Sequence, residues 1–596
     1  MKKILFISFT CLLLIALALP ACKPKAVEEN VIKIGIVGPM HFIQGEHHWM
    51  GATMAADEIN NAGGVSLGGK KYLIKLIKVD SNEILDVAGA ASAVERAITV
   101  DKVDFLMGGF RTEAVYPMSD VAMDYKKIFI NCGAATAGLQ KRVADDYNRY
   151  KYFFKGTPFN EFYLVDANFR ILGMVAAILK QELGVEEPRV AIIAEKLEWT
   201  EAMVRLAQAK LPGMGMEVVG VWRPSDTAVD VTAELTAIAA KEPHIIFTVF
   251  SGPVGITYAK QRGELKIPAC SVGIVVEGQK KGFWAATGGM GNYETFLNTY
   301  AKGVSMTEKT IPFFEEFEKR TGEFPTYTAA TYDAVWSTKE TIEALQTLDA
   351  DAHVPYIEKS VFVTTGGVRE YYQVGDSPCP PKCPHDLVYG PGRLTGIATQ
   401  WQDGELKAVW PKKEYGTGEW AFEYPGTVPF KIAPEVIAKF KDAKPAPKPV
   451  APKPKVNEYV NPQYGFSVKY PILWATASPT APAVLYAASP ARVPAIHAFV
   501  LEAATFTDAV KTALEKGAGG SAIKVGAEKE TTLADGTKAT AAKVDWTVLG
   551  FAGESYALGV KKDDKWVIVT ITTVALVEAY DEAKYSEIAR TLEFKK

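Results

Sequence analysis

The chain has little cysteine, little net charge and, past its N-terminus, no long apolar run. Six cysteines in 596 residues are too few for a disulfide-built scaffold, so hydrophobic cores must carry the fold. Lysine plus arginine (66) nearly balance aspartate plus glutamate (69), for a formal net charge of −3, which argues against the basic footprint of a nucleic-acid binder. After the first residues no stretch is expected to span a bilayer. Nucleophile-elbow, phosphate-loop and HExxH motifs are missing too, so the sequence points to no enzyme and implies no cofactor. A length of 596 residues predicts about three or four domains.

The N-terminus is a targeting segment. Met1-Lys2-Lys3 is positive and Ile4–Leu19 is apolar, the pattern of a secretory signal peptide over residues 1–21. Leu19-Pro20-Ala21-Cys22 resembles the bacterial lipobox, which implies lipidation of Cys22 and an exported protein held to the cell envelope by its lipid. A plainly cleaved signal or an uncleaved anchor is the alternative. Cys132 and Cys270 sit in or beside strand-like runs and read as buried thiols. Cys379 and Cys383 flank Pro380-Pro381-Lys382 and predict a local disulfide, with a zinc site through His385 as the other reading. His41, His47 and His48 raise the question of a metal. Adjacent helical positions do not face one way, so a polar pocket rim is preferred and no metal site is assigned.

A tether over residues 22–30 leads to the strand Val31–Val37 and a helix ending at Ala62-Gly63-Gly64. A hairpin over Val65–Val79 and a helix through Val87–Val100 follow. Val103–Met107 is a strand-length apolar run ending in Gly108-Gly109, and Thr112 is placed to cap the next helix. A second run, Ile128–Asn131, ends in Gly133-Ala134-Ala135-Thr136. Short buried strands alternating with helices predict a parallel sheet, with a crevice at the strand ends suited to an anion. A second lobe follows, with helix Glu161–Leu183 and buried strands Arg189–Ala194, Ile245–Phe250 and Ile267–Ile274. The fold class is therefore α/β: two doubly wound lobes with a central cleft. Lobe 1 is placed at about 31–151 and 283–365, lobe 2 at about 152–282 and 366–440. Five prolines among alanines, valines and lysines make 441–456 an extended linker. Residues 457–596 read as a separate α+β domain with hairpin turns at Ala534–Gly536 and Lys562–Asp564.

Ile34–Pro39, Gly51–Val65 and Val79-Asp80-Ser81 resemble type I periplasmic binding proteins, and most of all the leucine/isoleucine/valine-binding branch that serves ATP-driven importers. Ala134-Ala135-Thr136, Arg189–Ile193 and Thr331–Ala334 extend the match in order. The resemblance implies that Thr112, Ala134 and Thr136 take an amino-acid carboxylate. It also implies that Trp199 closes over the ligand, that Phe250 to Gly252, with Ser251, form the facing loop, and that Glu277 meets the ammonium. Arg111 departs from the family's small residues and could instead pair with the carboxylate of an amine-free acid; a solvent-facing Arg111 is the alternative. The implied partners are a small amino acid or carboxylate and a membrane permease, with a sensory or scaffold lipoprotein as the other class. Tyr464–Pro471 with Trp474, and Tyr585–Phe594, resemble PsbP-like domains, which implies an interaction or envelope-attachment module.

Overall fold

The computed structural model describes residues 30–441, 456–471, 474–476, 478–479, 481–489, 494–548, 551–574 and 580–594. The expected signal peptide, Cys22 and all of the linker between Lys441 and Val456 lie outside the described residues.

The first sheet holds β1 (Val31–Gly38), β2 (Val65–Leu67), β3 (Lys70–Asp80), β4 (Phe105–Gly108), β5 (Phe129–Asn131) and β6 (Phe153–Lys155). Their spatial order is β2-β3-β1-β4-β5-β6, and only β2 and β3 pair antiparallel. Parallel strands need crossovers, here supplied by α1 (Ile43–Asn61), α2 (Ala90–Thr99), α3 (Thr112–Asp124) and α4 (Gly138–Asp145). Gly108 ends β4 at φ 109°, and a Cβ there would lie 2.0 Å from the Val37 carbonyl oxygen. Strand β1 and the turn after β4 can approach this closely only at a glycine. Gly108→Ala is expected to destabilise the protein by about 2–3 kcal/mol, read by denaturant unfolding; an unchanged midpoint would mean the turn relaxes freely.

The second lobe continues with α5 (Glu161–Leu183), β7 (Arg189–Ala194), α6 (Glu198–Lys210), β8 (Glu217–Trp222), β9 (Ile245–Phe250), β10 (Cys270–Val275) and β11 (Thr295–Asn298). Helix α7 (Thr331–Leu345) and the hairpin β12 (Phe362–Thr364) and β13 (Gly367–Arg369) come next, then β14 (Ile397–Gln402) and β15 (Glu405–Trp410). The sheet order is β15-β14-β11-β10-β9-β7-β8, with an antiparallel edge formed by β14 and β15. Asn160 caps α5 by accepting the Phe162 and Tyr163 N–H groups, and Gly184 at φ 70° ends it. Contrary to expectation, α5 is long and apolar enough to cross a membrane, yet 61% of its most apolar window is buried inside the protein. It also carries the Asp166–Arg170 ion pair. It is a core helix of this lobe.

The lobe limits differ from those expected. Strand β6 joins the first sheet, so the first crossing falls after Lys155 rather than at Tyr152. Strand β11 joins the second sheet through β10 and β14, so the second crossing falls after Asn298 rather than at 283. The segment after β13 stays on lobe 1: the Lys155 N–H donates to the His385 carbonyl at 3.0 Å, and His385 bridges the Phe153 carbonyl and Glu358. Cys379 and Cys383 are disulfide-bonded. His385 stacks on Phe154 at 4.0 Å between ring centroids, so its ring is committed there instead of to a metal. Cys132 and Cys270 are free and buried.

The C-terminal region, taken by itself, is β-rich. An eight-stranded sheet is accompanied by a three-stranded one built from Val456–Asn461, Phe466–Pro471 and Glu593–Phe594. Phe506–Thr512 and Glu582–Ala589 are helical. Phe466, Trp474 and Tyr585 are buried in its core, and both expected hairpin turns are present.

Candidate functional site

The ends of β4, β5, β7 and β9 converge between the lobes, and each turn there is organised by a buried carboxylate. After β4, Glu83 accepts the Phe110 N–H at 3.1 Å, the Arg111 N–H at 2.8 Å and the Ser81 hydroxyl at 2.9 Å. Helix α3 begins at Thr112 with Arg111 as its N-cap residue, so Thr112 is not the cap the sequence suggested. After β5, Glu161 accepts the Ala137 N–H at 2.5 Å. After β7, Glu195 accepts the Ser251 N–H at 2.8 Å, the Gly252 N–H at 3.0 Å, the Trp199 indole N–H at 3.2 Å and the Ser251 hydroxyl. Burial pushes Glu83 and Glu195 up to about 7, against the pull of their donors. Burial raises Glu161 as well.

The N–H groups of Phe110, Arg111, Ala137, Ser251 and Gly252 are thus taken by the chain's own carboxylates. A donor engaged in this way offers no free valence to a second anion, and two carboxylates side by side would repel.

The lobes meet through direct contacts around this region. Gln44 donates to the Ser251 carbonyl at 3.0 Å, the Tyr327 N–H donates to the Gln279 side chain at 3.3 Å, and Arg111 lies 3.5 Å from Asp226. Behind them is a cavity open to the centres of water-sized spheres over about 100 Å³, several times what one water needs. Its walls are mostly apolar, with Phe110, Ala135, Phe159, Leu164, Leu197 and Trp199 drawn from both sides. Polar groups gather where the lobes join, among them Asn298, Thr299, Asp333 and Arg369.

Of the residues singled out from sequence, Arg111, Thr112, Trp199 and Ser251 line this cavity. Four do not. Thr136 turns away, accepting the Gly138 N–H at 3.1 Å beside Glu161. Ala134 is packed in the first core while its carbonyl accepts Lys155. Phe250 is wholly buried against Tyr258 in a separate cluster of lobe 2. Glu277 lies outside the lining, paired with Lys280 at 2.6 Å and approached by Gln44. Arg111 is neither free for a ligand nor solvent-facing: it donates to the Ile84 carbonyl at 3.2 Å and spans to the other lobe. His47 contacts Thr326 and His48 contacts the Cys132 carbonyl, and burial lowers them to about 3 and about 4. They do not converge.

The sequence reading missed Glu83, Glu195 and Glu161. A signal existed: Glu195 directly follows the apolar run Val190–Ala194, where a lone acid is costly unless donors await it. Arg369 was also missed, and its place in a short polar hairpin gave no such cue.

A model of the family described as periplasmic binding protein matches residues 31–368. An amino acid binding protein of Pseudomonas aeruginosa is 32% identical over 114 residues, 19% of this chain and 29% of that protein; the chain thus spans under a third of that relative. The substrate-binding protein LivJ of a branched-chain amino acid transporter from Streptococcus pneumoniae, in complex with isoleucine, superposes with a TM-score of 0.51 at 19% identity, over 64% of this chain and 100% of that one. A solute-binding protein of an ABC transporter from R. palustris, in complex with benzoate, gives 0.51 at 18% identity, over 64% and 95%.

Proposed function

Because the chain belongs to the periplasmic binding protein family, we propose that it is an extracytoplasmic solute receptor for an ABC permease, and that its solute is an aromatic or aliphatic carboxylate. The cavity carries this reading. It is lined by both lobes, its walls are mostly apolar, Glu277, foreseen as the ammonium partner, is engaged with Lys280 outside it, and the oxygens of Asp333, an acid in the lining, already accept from Thr365. A zwitterion needs a buried anion to offset the desolvation of its ammonium, whereas a ring or short aliphatic body is matched by Phe110, Leu197 and Trp199 through area burial alone. The benzoate complex of the R. palustris protein lends support. The isoleucine complex of LivJ keeps an amino acid as the second reading.

Closure is a ligand-biased shift between open and closed lobes, so contacts from both lobes must favour the closed form. In this reading Cys22 bears the lipid that holds the receptor at the membrane, and the C-terminal unit, PsbP-like by its motifs, docks a partner in the envelope. The test is calorimetry of the mature full chain with benzoate and with isoleucine. Benzoate is expected to bind at least about tenfold more tightly, a difference of roughly 1.4 kcal/mol. A preference for isoleucine would move the assignment to amino acids, and binding of neither would remove both ligand classes.

A further inference from the structure

We propose that Arg369 anchors the anionic group of the solute at the inner end of the cavity, where the lobes join. The inference rests on the reading of this cavity as the ligand site and adds the group that selects an acid.

Arg369 ends β13 and is only 2% exposed. Its Nη2 donates to the Ser337 hydroxyl at 2.5 Å, its guanidinium carbon lies 5.1 Å from the Phe362 ring centroid, and its Nε has no hydrogen-bond partner. No carboxylate among the described residues pairs with it within 4.0 Å. The comparison within the molecule is Arg262. It too is 2% exposed, but it is ion-paired to Glu294 and also donates to the Asn292 carbonyl at 3.1 Å. A buried guanidinium without an anion is costly, and a site of that kind is completed when an anion arrives.

The surroundings say where the anion comes from. Arg369 lines the cavity itself. The acid nearest in role, Asp333, lines the same end, but its two oxygens already accept the Thr365 N–H at 2.9 Å and the Thr365 hydroxyl at 2.6 Å. Its charge acts on Arg369 through space, but no ion pair forms between them within 4.0 Å. In the neighbouring turns the N–H groups of Arg111, Ala137 and Gly252 are taken by Glu83, Glu161 and Glu195. Arg111, the other cation in the lining, also has a buried Nε without a hydrogen-bond partner, but Glu113 and Asp226 each lie 3.5 Å from its guanidinium and balance its charge, whereas Arg369 has no such ion pair. A guanidinium presents a planar fork that matches a carboxylate in two parallel bonds. With the apolar body lying along Phe110 and Trp199, a carboxylate directed to Arg369 is bound in preference to the neutral amide of the same shape.

The probes are benzoate and benzamide, titrated by calorimetry into the mature full chain and into the Arg369→Met and Arg369→Lys variants. The wild type is expected to prefer benzoate by at least about tenfold. Arg369→Met should abolish that preference, losing more affinity for benzoate than for benzamide, with an unchanged thermal unfolding midpoint reporting an intact fold. Arg369→Lys keeps the buried charge but loses the fork, so its benzoate affinity should fall several-fold. A wild type that binds both probes equally overturns the anchor and leaves the receptor reading standing, as does a folded Lys variant with undiminished benzoate affinity. Failure to bind either probe overturns both.

Discussion

Replacing Glu294 with alanine is expected to destabilise the two-lobed region by about 3–5 kcal/mol, because it strands a buried cation. Arg262 and Glu294 are both essentially solvent-free, with 3% and 0% of their side chains exposed. Glu294 precedes β11, an inner strand of the second sheet, so the pair fixes that strand to the helix that ends at Glu264. Taking two charges from water is unfavourable in itself, and their attraction roughly offsets that penalty only while both are present. The second half of the prediction follows: Arg262→Met combined with Glu294→Leu should recover most of the loss. Denaturant unfolding of the single and double variants reads the two quantities. A single-variant loss under about 1 kcal/mol would mean that water reaches the pair and that Arg262 is not stranded without Glu294.

A second large effect is expected at Glu195, and it depends on pH. Burial raises this carboxyl from its ordinary 4.5 to about 7. The folded protein therefore keeps a proton that the unfolded chain has released, and Glu195 favours folding most below about 4.5, a contribution lost as the pH rises through about 7. The buried histidines act the other way. His47 and His48 are lowered to about 3 and about 4, so their contribution is present above 6.5 and lost on acidification. The whole-protein pH profile mixes these opposing slopes, whereas a difference against Glu195→Gln isolates one group. The stability of the variant relative to wild type should improve between about pH 4.5 and pH 7 by on the order of 3 kcal/mol. A constant offset is also expected, since an amide cannot satisfy the donors of Ser251, Gly252 and Trp199 as a carboxylate does. Thermal unfolding of both proteins at several pH values gives the slope; a difference that does not vary with pH would show Glu195 to be ionised throughout.

Much of the scaffold was legible because its signals are local. Helix α5 was delimited to the residue by an apolar period between Asn160, which caps it, and Gly184, which ends it at positive φ. Strands β7 and β9 are six-residue runs with a single polar residue each, Arg189 and Thr248, apolar enough to read without a partner. The lobe crossings were not legible, since β6 has three residues and β11 has four, too short to carry a period. What decides their membership is pairing with β5 and β10, a fact about distant sequence.

The site divides in the same way. Arg111, Thr112, Trp199 and Ser251 line the cavity because they stand at strand ends, which topology brings to the cleft. Thr136 and Glu277 do not, because a side chain in a turn follows its strongest nearby partner. Thr136 is held by Gly138 and Glu161, and Glu277 by Lys280. Proximity in sequence to the cleft does not say which way such a group points. Nor did the motif reveal the three internal acids that hold the neighbouring turns through their N–H groups.

The disulfide loop has a consequence at the margin of the first sheet. Strand β6 is its outermost strand, and among the described residues the segment around His385 covers its free backbone groups. That segment is closed by the Cys379–Cys383 bond. An uncovered strand margin is one on which a second copy can pair, so reduction of the bond is expected to raise self-association, read by light scattering with and without reductant.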